Sequence, residues 1–346
     1  MKLSPMMQQY MEIKKEHTDC ILFFRLGDFY EMFYEDAHIA SKELELTLTG
    51  KNCGQEERAP MCGIPFHAAE TYISKLVERG YKVAICEQVE DPATAKGIVK
   101  REVVQIITPG TIANGTMLNE KENNYLASVY LDDTGLGFSY CDISTGEWYV
   151  TEFSTPESKE ALNNELARIG IREILVPASF PDNWDLEELK QSTGAYISQL
   201  GPAHYQKERI VQTIYSHFEV QSLTGLGLGE LSSGLSALGS LLQYLLETQK
   251  QSLSHLKRIQ VYHLGGTMSL DKATLRNLEI TETLYDKKIQ GSLLGVLDKT
   301  HTAMGSRKMK KWLREPLNRC QEIQERLDAV DCLIENYIIR NNLRSD

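Results

Sequence analysis

No stretch of this sequence approaches the roughly 18 uninterrupted apolar residues that a membrane-spanning helix needs. The opening residues Met1 to Tyr10 also turn polar too early for a signal-peptide core. Those two absences set the expectation of a cytoplasmic chain with no membrane partner. There is no C-x-x-C pair either: seven cysteines, at positions 20, 53, 62, 86, 141, 320 and 332, form neither a disulfide framework nor a zinc framework. Cys53, Cys62 and His67 can be written as metal ligands, but their gaps match no zinc pattern, and no metal is assigned. Any G-x-x-x-x-G-K-[ST] loop is also missing, which excludes a phosphate cradle of that kind and an ATPase built on one. Basic charge is the last shortage. The net charge is −11, from 37 Lys and Arg against 48 Asp and Glu, whereas a nucleic-acid partner ordinarily requires a basic face.

The distribution of charge weakens that last exclusion. Residues 1–115 carry −4, residues 116–249 carry −12 and residues 250–346 carry +5. The acidity sits in the middle, so a short-range DNA contact by the first segment is permitted. At 346 residues the chain is also long enough for two or three domains.

The pattern along the chain divides it into three units, 1–115, 122–249 and 258–346. In the first, Met6, Tyr10 and Ile13 predict a short amphipathic helix, followed by a buried strand at Ile21 and a helix from about Tyr30 to Leu44 capped by Asp28. A polar, flexible loop is expected from Thr49 to Arg58, a fixed turn at Met61 to His67 and a helix from about Ala68 to Glu78, stopped by Gly80. Strands are expected at Tyr81 to Cys86 and Glu102 to Ile107. The second unit opens with a three-strand meander, Tyr125–Leu131, Leu136–Asp142 and Glu147–Phe153, joined by tight turns. A helix from about Ser158 to Ile169, a strand at Glu173–Val176 and a helix within Leu231–Leu246 complete an α/β unit. The third unit reads as a short strand-like Met268–Leu270 and then helices near Leu275–Leu284, Leu293–Leu297, Met304–Leu313 and Ile323–Ile334. It stops directly after a helix, without a closing element.

One stretch of the first unit carries unusual chemistry. In Ile21 to Phe33 a buried apolar run meets a Gly27-Asp28 break, after which Phe29 and Glu31 stand two residues apart. A protein that detects mispaired DNA must read deformability rather than sequence, because a mispaired step unstacks more cheaply than a paired one. An apolar ring inserted from the minor groove is a physical device for such a kink. Phe29 suits that role, and Glu31 offers a hydrogen bond to the displaced base. The plainer alternative is a capping box, with Asp28 as N-cap and Glu31 reaching back to it, and Phe29 buried four residues before Phe33. Local spacing leaves both readings open.

The surrounding text resembles the MutS family of DNA mismatch-recognition proteins. The segments that carry the resemblance are Pro5 to Tyr10, Gly27-Asp28-Phe29-Tyr30-Glu31, Gly63-Ile64-Pro65 with His67-Ala68, Cys86-Glu87-Gln88, Asp91 to Thr94, Lys96-Gly97 and Thr108-Pro109-Gly110-Thr111. In the last third, Leu270-Asp271, Arg276 to Glu279, Gly291 to Leu294, Leu297 to Thr300, Met304 to Arg307, Trp312-Leu313 and Pro316-Leu317 extend it. The resemblance implies a multi-domain α/β chain: a mixed α/β mismatch-binding domain, a ribonuclease-H-like α/β connector and the beginning of an all-α core or lever domain. It implies that Phe29 and Glu31 are the mismatch probe and that mismatched double-stranded DNA is the partner. In the full-length family it further implies an ATP- and Mg-dependent switch, a MutL partner and dimerisation. With no Walker-type loop in this sequence, the expectation is a truncated chain that uses no cofactor and is not an enzyme. The family's dimer contacts fall mainly outside it, and its location is cytoplasmic and nucleoid-associated.

Two rival functions follow from the same residues. If the second unit is ribonuclease-H-like, Asp132 or Asp133, Asp142 and Glu147 can be written as metal-binding carboxylates of a nuclease. Against this, Asp132, Asp133 and Asp142 stand at turns that aspartate commonly stabilises. The other rival is a connector-type interaction module with no DNA binding of its own. Arg58, Lys96, Lys100 and Arg101 are candidates for phosphate contacts, which add affinity and little specificity.

Overall fold

The computed structural model describes residues 3–54, 57–90, 97–113, 115–153, 158–181, 184–250 and 253–345. The first unit is built on one six-stranded sheet. Helix α1 (Pro5–Glu16) starts where the Ser4 side chain accepts from the Met7 amide, with proline at its first position, as helix starts favour. Then follow β1 (Cys20–Leu26), β2 (Phe29–Phe33), α2 (Tyr34–Leu44), β3 (Thr49–Lys51), β4 (Ala59–Pro65), α3 (Ala69–Glu78), β5 (Lys82–Gln88) and β6 (Arg101–Ile107). The strand order is β3-β4-β2-β1-β5-β6; β1 runs parallel to β5 and every other neighbour is antiparallel.

Strand alternation gives this sheet two cores. Ile21, Phe23, Tyr30 and Met32 face α2 and α3, meeting Ala37, Ala40, Leu44, Ile73 and Leu76. Leu22, Phe24 and Phe33 face α1, where Met7 and Tyr10 close the layer. Tyr10 contacts the rings of Phe24 and Phe33 edge-on, at 5.5 and 5.0 Å between centroids. Buried Asp36 ties three elements together. It accepts from the Tyr10 hydroxyl at 3.2 Å and the Leu22 amide at 3.0 Å, and pairs with Lys14 at 2.8 Å.

The second unit is a sheet between two helical layers. Its strands are β7 (Tyr125–Asp132), β8 (Gly135–Asp142), β9 (Glu147–Phe153), β10 (Glu173–Pro177), β11 (Tyr196–Leu200) and β12 (Gln260–Val261), in the order β11-β10-β7-β8-β9-β12. Helices α4 (Ser158–Ile169) and α5 (Leu186–Thr193) cover one face, where Tyr125, Ala127, Val129, Phe138 and Ile174 are buried. Helices α6 (Lys207–Phe218) and α7 (Ser233–Gln249) cover the other, over Leu126, Cys141, Trp148 and Leu175. The start of α7 presses so closely on β8 that a Cβ at Gly137 would overlap the Ser233 carbonyl, so only glycine fits there.

The third unit consists of α8 (Lys272–Asn277), α9 (Leu293–Leu297), α10 (Ala303–Arg314), α11 (Cys320–Glu335) and α12 (Tyr337–Ser345). It docks on the second through α10. Arg314 donates to the Arg168 and Ile169 carbonyls at the end of α4, and Lys310 pairs with Glu122 at 2.8 Å. A cation at a helix C-terminus complements the unpaired carbonyls there. Leu327, Val330, Ile334 and Ile338 on α11 and α12 are exposed.

Several expectations are corrected. The helix expected from Tyr30 begins at Tyr34, because residues 29–33 form a strand. The fixed turn expected at Met61 to His67 is mostly β4, with one 3-10 turn at Phe66–Ala68. The polar loop at Thr49 begins with β3, and Met268–Leu270 is not a strand, the nearest pairing being a single bridge between Thr267 and Leu317. The helix near Leu275 ends at Asn277, where Glu279 turns the chain with φ 48°. The mixed α/β fold with a helical C-terminal segment agrees with the expected fold class.

Candidate nucleic-acid interface

The capping box is absent. Asp28 lies in the two-residue turn between β1 and β2, and its carbonyl accepts from the Phe66 amide at 2.9 Å. Helix α2 has no side-chain cap at all: the chain passes from strand to helix through Tyr34, at φ 53°. The reason lies in the pairing of β2 with neighbours on both sides. Glu31 stands opposite Phe24 on β1 and Gly63 on β4, while Phe29 stands opposite Leu26 and Pro65. Aromatic residues between two strands gain more from the sheet than from a helix start.

The strand period then sorts the residues of β2. Tyr30 and Met32 point into the core beneath α2 and α3, so Phe29, Glu31 and Phe33 share the opposite face. Phe33 is fully buried there, whereas Phe29, at the turn, is 48% exposed. A large apolar ring thus stands half in solvent at the tip of a hairpin anchored in the middle of a sheet. Gly27 sits at φ 58°, a backbone that favours glycine, and makes the two-residue turn possible.

Arg25 holds that turn. Its Nε donates to the Gly27 carbonyl at 2.5 Å, its guanidinium lies 3.7 Å from the centre of the Phe66 ring, and Nη1 is 3.4 Å from Glu87 Oε1. The Tyr30 hydroxyl donates to the same Glu87 oxygen. Burial and that carboxylate push the Tyr30 pKa up, so it stays a donor. Phe66 is itself 40% exposed, a second ring beside the hairpin. Glu31, further from the tip, has Oε2 2.5 Å from Lys51 Nζ.

The basic candidates separate. Arg101 is corrected: it is 8% exposed, donating from Nε to the Arg25 carbonyl at 2.7 Å and from Nη1 to Gln9 and the Val99 carbonyl, with Phe24 beneath it. Such a guanidinium is committed to the core and presents nothing to a phosphate. Arg58 is exposed. Lys100 is exposed and pairs with Glu102 at 2.5 Å. Lys96 lies outside the described residues.

Of the carboxylates that can be written as a metal site, Asp132, Asp142 and Glu147 are engaged in hydrogen bonds within the unit. Asp132 accepts from Thr134 and from Ser233, Asp142 from Asn123, Asn124 and Ser144, and Glu147 from the Tyr125 hydroxyl. Cys53 and Cys62 fall on opposite faces of the first sheet, and burial raises both thiols, Cys62 to about 11. Among the described residues no helix is long and apolar enough to cross a membrane.

Spacing along the chain does not reveal Lys51, Arg25 or Phe66 beside the hairpin. All three depend on which strands are neighbours. Arg25 alone had a local signal, an arginine directly before the Leu26-Gly27-Asp28 break.

Comparison with known proteins covers nearly the whole chain. Three family models match in succession: MutS domain I over residues 4–116, MutS domain II over 124–257 and MutS domain III over 273–346. The chain is 53% identical over 344 residues to "DNA mismatch repair protein MutS" of Lachnoclostridium phytofermentans, covering 99% of this chain and 37% of that protein. Proteins of the same name from Acetivibrio thermocellus and Alkaliphilus oremlandii are 49% and 47% identical, each over 99% of this chain and 39% of the relative. The chain therefore spans less than two-fifths of the length of these relatives.

Proposed function

The chain belongs to the MutS family of DNA mismatch repair proteins, and on that premise we propose that its first unit binds mispaired or looped duplex DNA. Phe29 is the wedge, and Glu31 is the group that hydrogen-bonds the displaced base. The observation that carries this reading is the half-exposed ring of Phe29 at the hairpin tip, on the same strand face as Glu31.

The mechanism is differential cost. Inserting Phe29 at a base step kinks the duplex and costs a few kcal/mol of unstacking, less at a mispair. Phe29 supplies stacking without hydrogen-bond preference, so it accepts any mispair, while Glu31 offers an acceptor to the displaced edge. The sheet supplies preorganisation: the hairpin is held by β1 and β4 and by Arg25, so little ordering remains to be done on binding.

This activity is binding without turnover, and the proposal gives the chain no nucleotide, magnesium or other cofactor. A MutL partner and dimerisation are proposed for the full-length family, and a cytoplasmic, nucleoid-associated location for the chain. Among the described residues Arg58 and Lys100 remain the candidates for backbone contact on the exposed surface, and Lys96 is proposed beside them. Equilibrium binding of the chain to one duplex with and without a single mispair tests the proposal; equal affinity for the two refutes it.

A further inference from the structure

Glu31 is engaged before any DNA is present. Its Oε2 lies 2.5 Å from Lys51 Nζ, with the glutamate side chain 15% and the lysine side chain 32% exposed. Lys51 ends β3, the edge strand, and reaches across the sheet with its ammonium 5.8 Å from the Phe33 ring. Strand β3 is held to β4 by backbone pairing, so the sheet does not need this side chain. It is also the one basic side chain that the described structure pairs with Glu31.

A carboxylate on a face that meets DNA opposes the phosphate charge on both strands. A cation held against it removes most of that opposition locally and also fixes the direction of the carboxylate, since one oxygen is occupied and the other is left for a base. Resting on the reading of Phe29 and Glu31 above, we infer that Lys51 is a positioning residue that acts through Glu31. It compensates the carboxylate's charge as the face closes on the duplex and holds the free oxygen beside Phe29.

A plain phosphate contact is the competing role, and a double-mutant cycle separates the two. Affinities for one duplex with and without a single mispair are measured for the 346-residue chain and for Lys51→Met, Glu31→Gln, the double variant and Lys51→Arg, at two salt concentrations. Lys51→Met is expected to lower the mismatched-to-paired affinity ratio roughly three- to tenfold when Glu31 is present and to leave it unchanged in the Glu31→Gln background. Lys51→Arg restores most of the ratio. The inference is overturned if Lys51→Met weakens both duplexes equally in both backgrounds with a salt slope about one unit shallower, which is the signature of a phosphate contact. It is also overturned if the ratio falls alike in both backgrounds or does not change. Thermal melts of every variant accompany the binding, and a ratio that tracks loss of the folded state rather than the presence of Glu31 counts against it as well. A Phe29→Ala control keeps the two levels apart. If that variant retains the mismatch preference, or the unsubstituted chain has none, the underlying reading fails; if it loses the preference while Lys51→Met keeps it, only the role of Lys51 fails.

Discussion

At the scale of the residue, Glu31 shows how one position serves both sheet and surface. Its backbone belongs to a central strand, paired with Phe24 and Gly63, while its side chain lies partly in solvent against Lys51. Removing the carboxylate is therefore expected to disturb discrimination more than fold. Glu31→Gln is expected to reduce the preference for mispaired duplex and to change unfolding free energy by only about 1 kcal/mol, because the isosteric amide can still accept a hydrogen bond from Lys51. Chemical denaturation beside the binding measurement checks both parts. A large stability loss with unaltered discrimination would assign Glu31 to the fold alone. Phe29 is freer still, since it stands beside the turn and is 48% exposed.

At the scale of the element, the hairpin is presented by a layer that Asp36 locks. This carboxylate is 3% exposed and joins α1, β1 and α2 through Tyr10, Leu22 and Lys14. Asp36→Ala removes the shared acceptor of the Leu22 amide, the Tyr10 hydroxyl and Lys14, leaving the hydroxyl only the Phe33 carbonyl and the lysine only the Cys20 carbonyl, and is expected to cost about 3 kcal/mol in urea unfolding. A cost under 1 kcal/mol would mean that the layer repacks. Elements with a strong local period were legible from the residues. The meander β7–β9 was, because apolar alternation is punctuated by Asp132 to Gly135 and Ser144 to Gly146, and so was α4. Strand β2 was not, since Asp28 and Glu31 have the spacing of a cap and only the flanking strands decide otherwise. Helix α5 carried signals that went unread, an Asp185 cap and Gly194 at the left-handed end. The Glu31–Lys51 pair and the stacking of Arg25 on Phe66 could not be read, because both depend on long-range strand order. The burial of Arg101 under Gln9 and the Arg25 carbonyl was hidden for the same reason.

At the scale of the whole molecule, the first two units are joined by a buried carboxylate. Glu173, at the start of β10, accepts from Thr108 and the Gly110 amide of the first unit's closing segment, and from Ser198 and Tyr244 of the second. Glu173→Ala removes the shared acceptor of four donors at once and is expected to destabilise the chain by about 3 kcal/mol or more, with the two units loosened together. Limited proteolysis between Thr108 and Tyr125 reads that loosening, and an unchanged cleavage rate with an unchanged unfolding midpoint would show the junction to be held by other contacts. The proposed recognition depends on Phe29, and the decisive quantity is the mismatched-to-paired affinity ratio of Phe29→Ala against the unsubstituted chain. The predicted result is a loss of about 1–3 kcal/mol of preference, most of the discrimination, with paired-duplex affinity and folding stability little changed. A variant that still binds and keeps the full preference would contradict the assignment of Phe29 as the wedge.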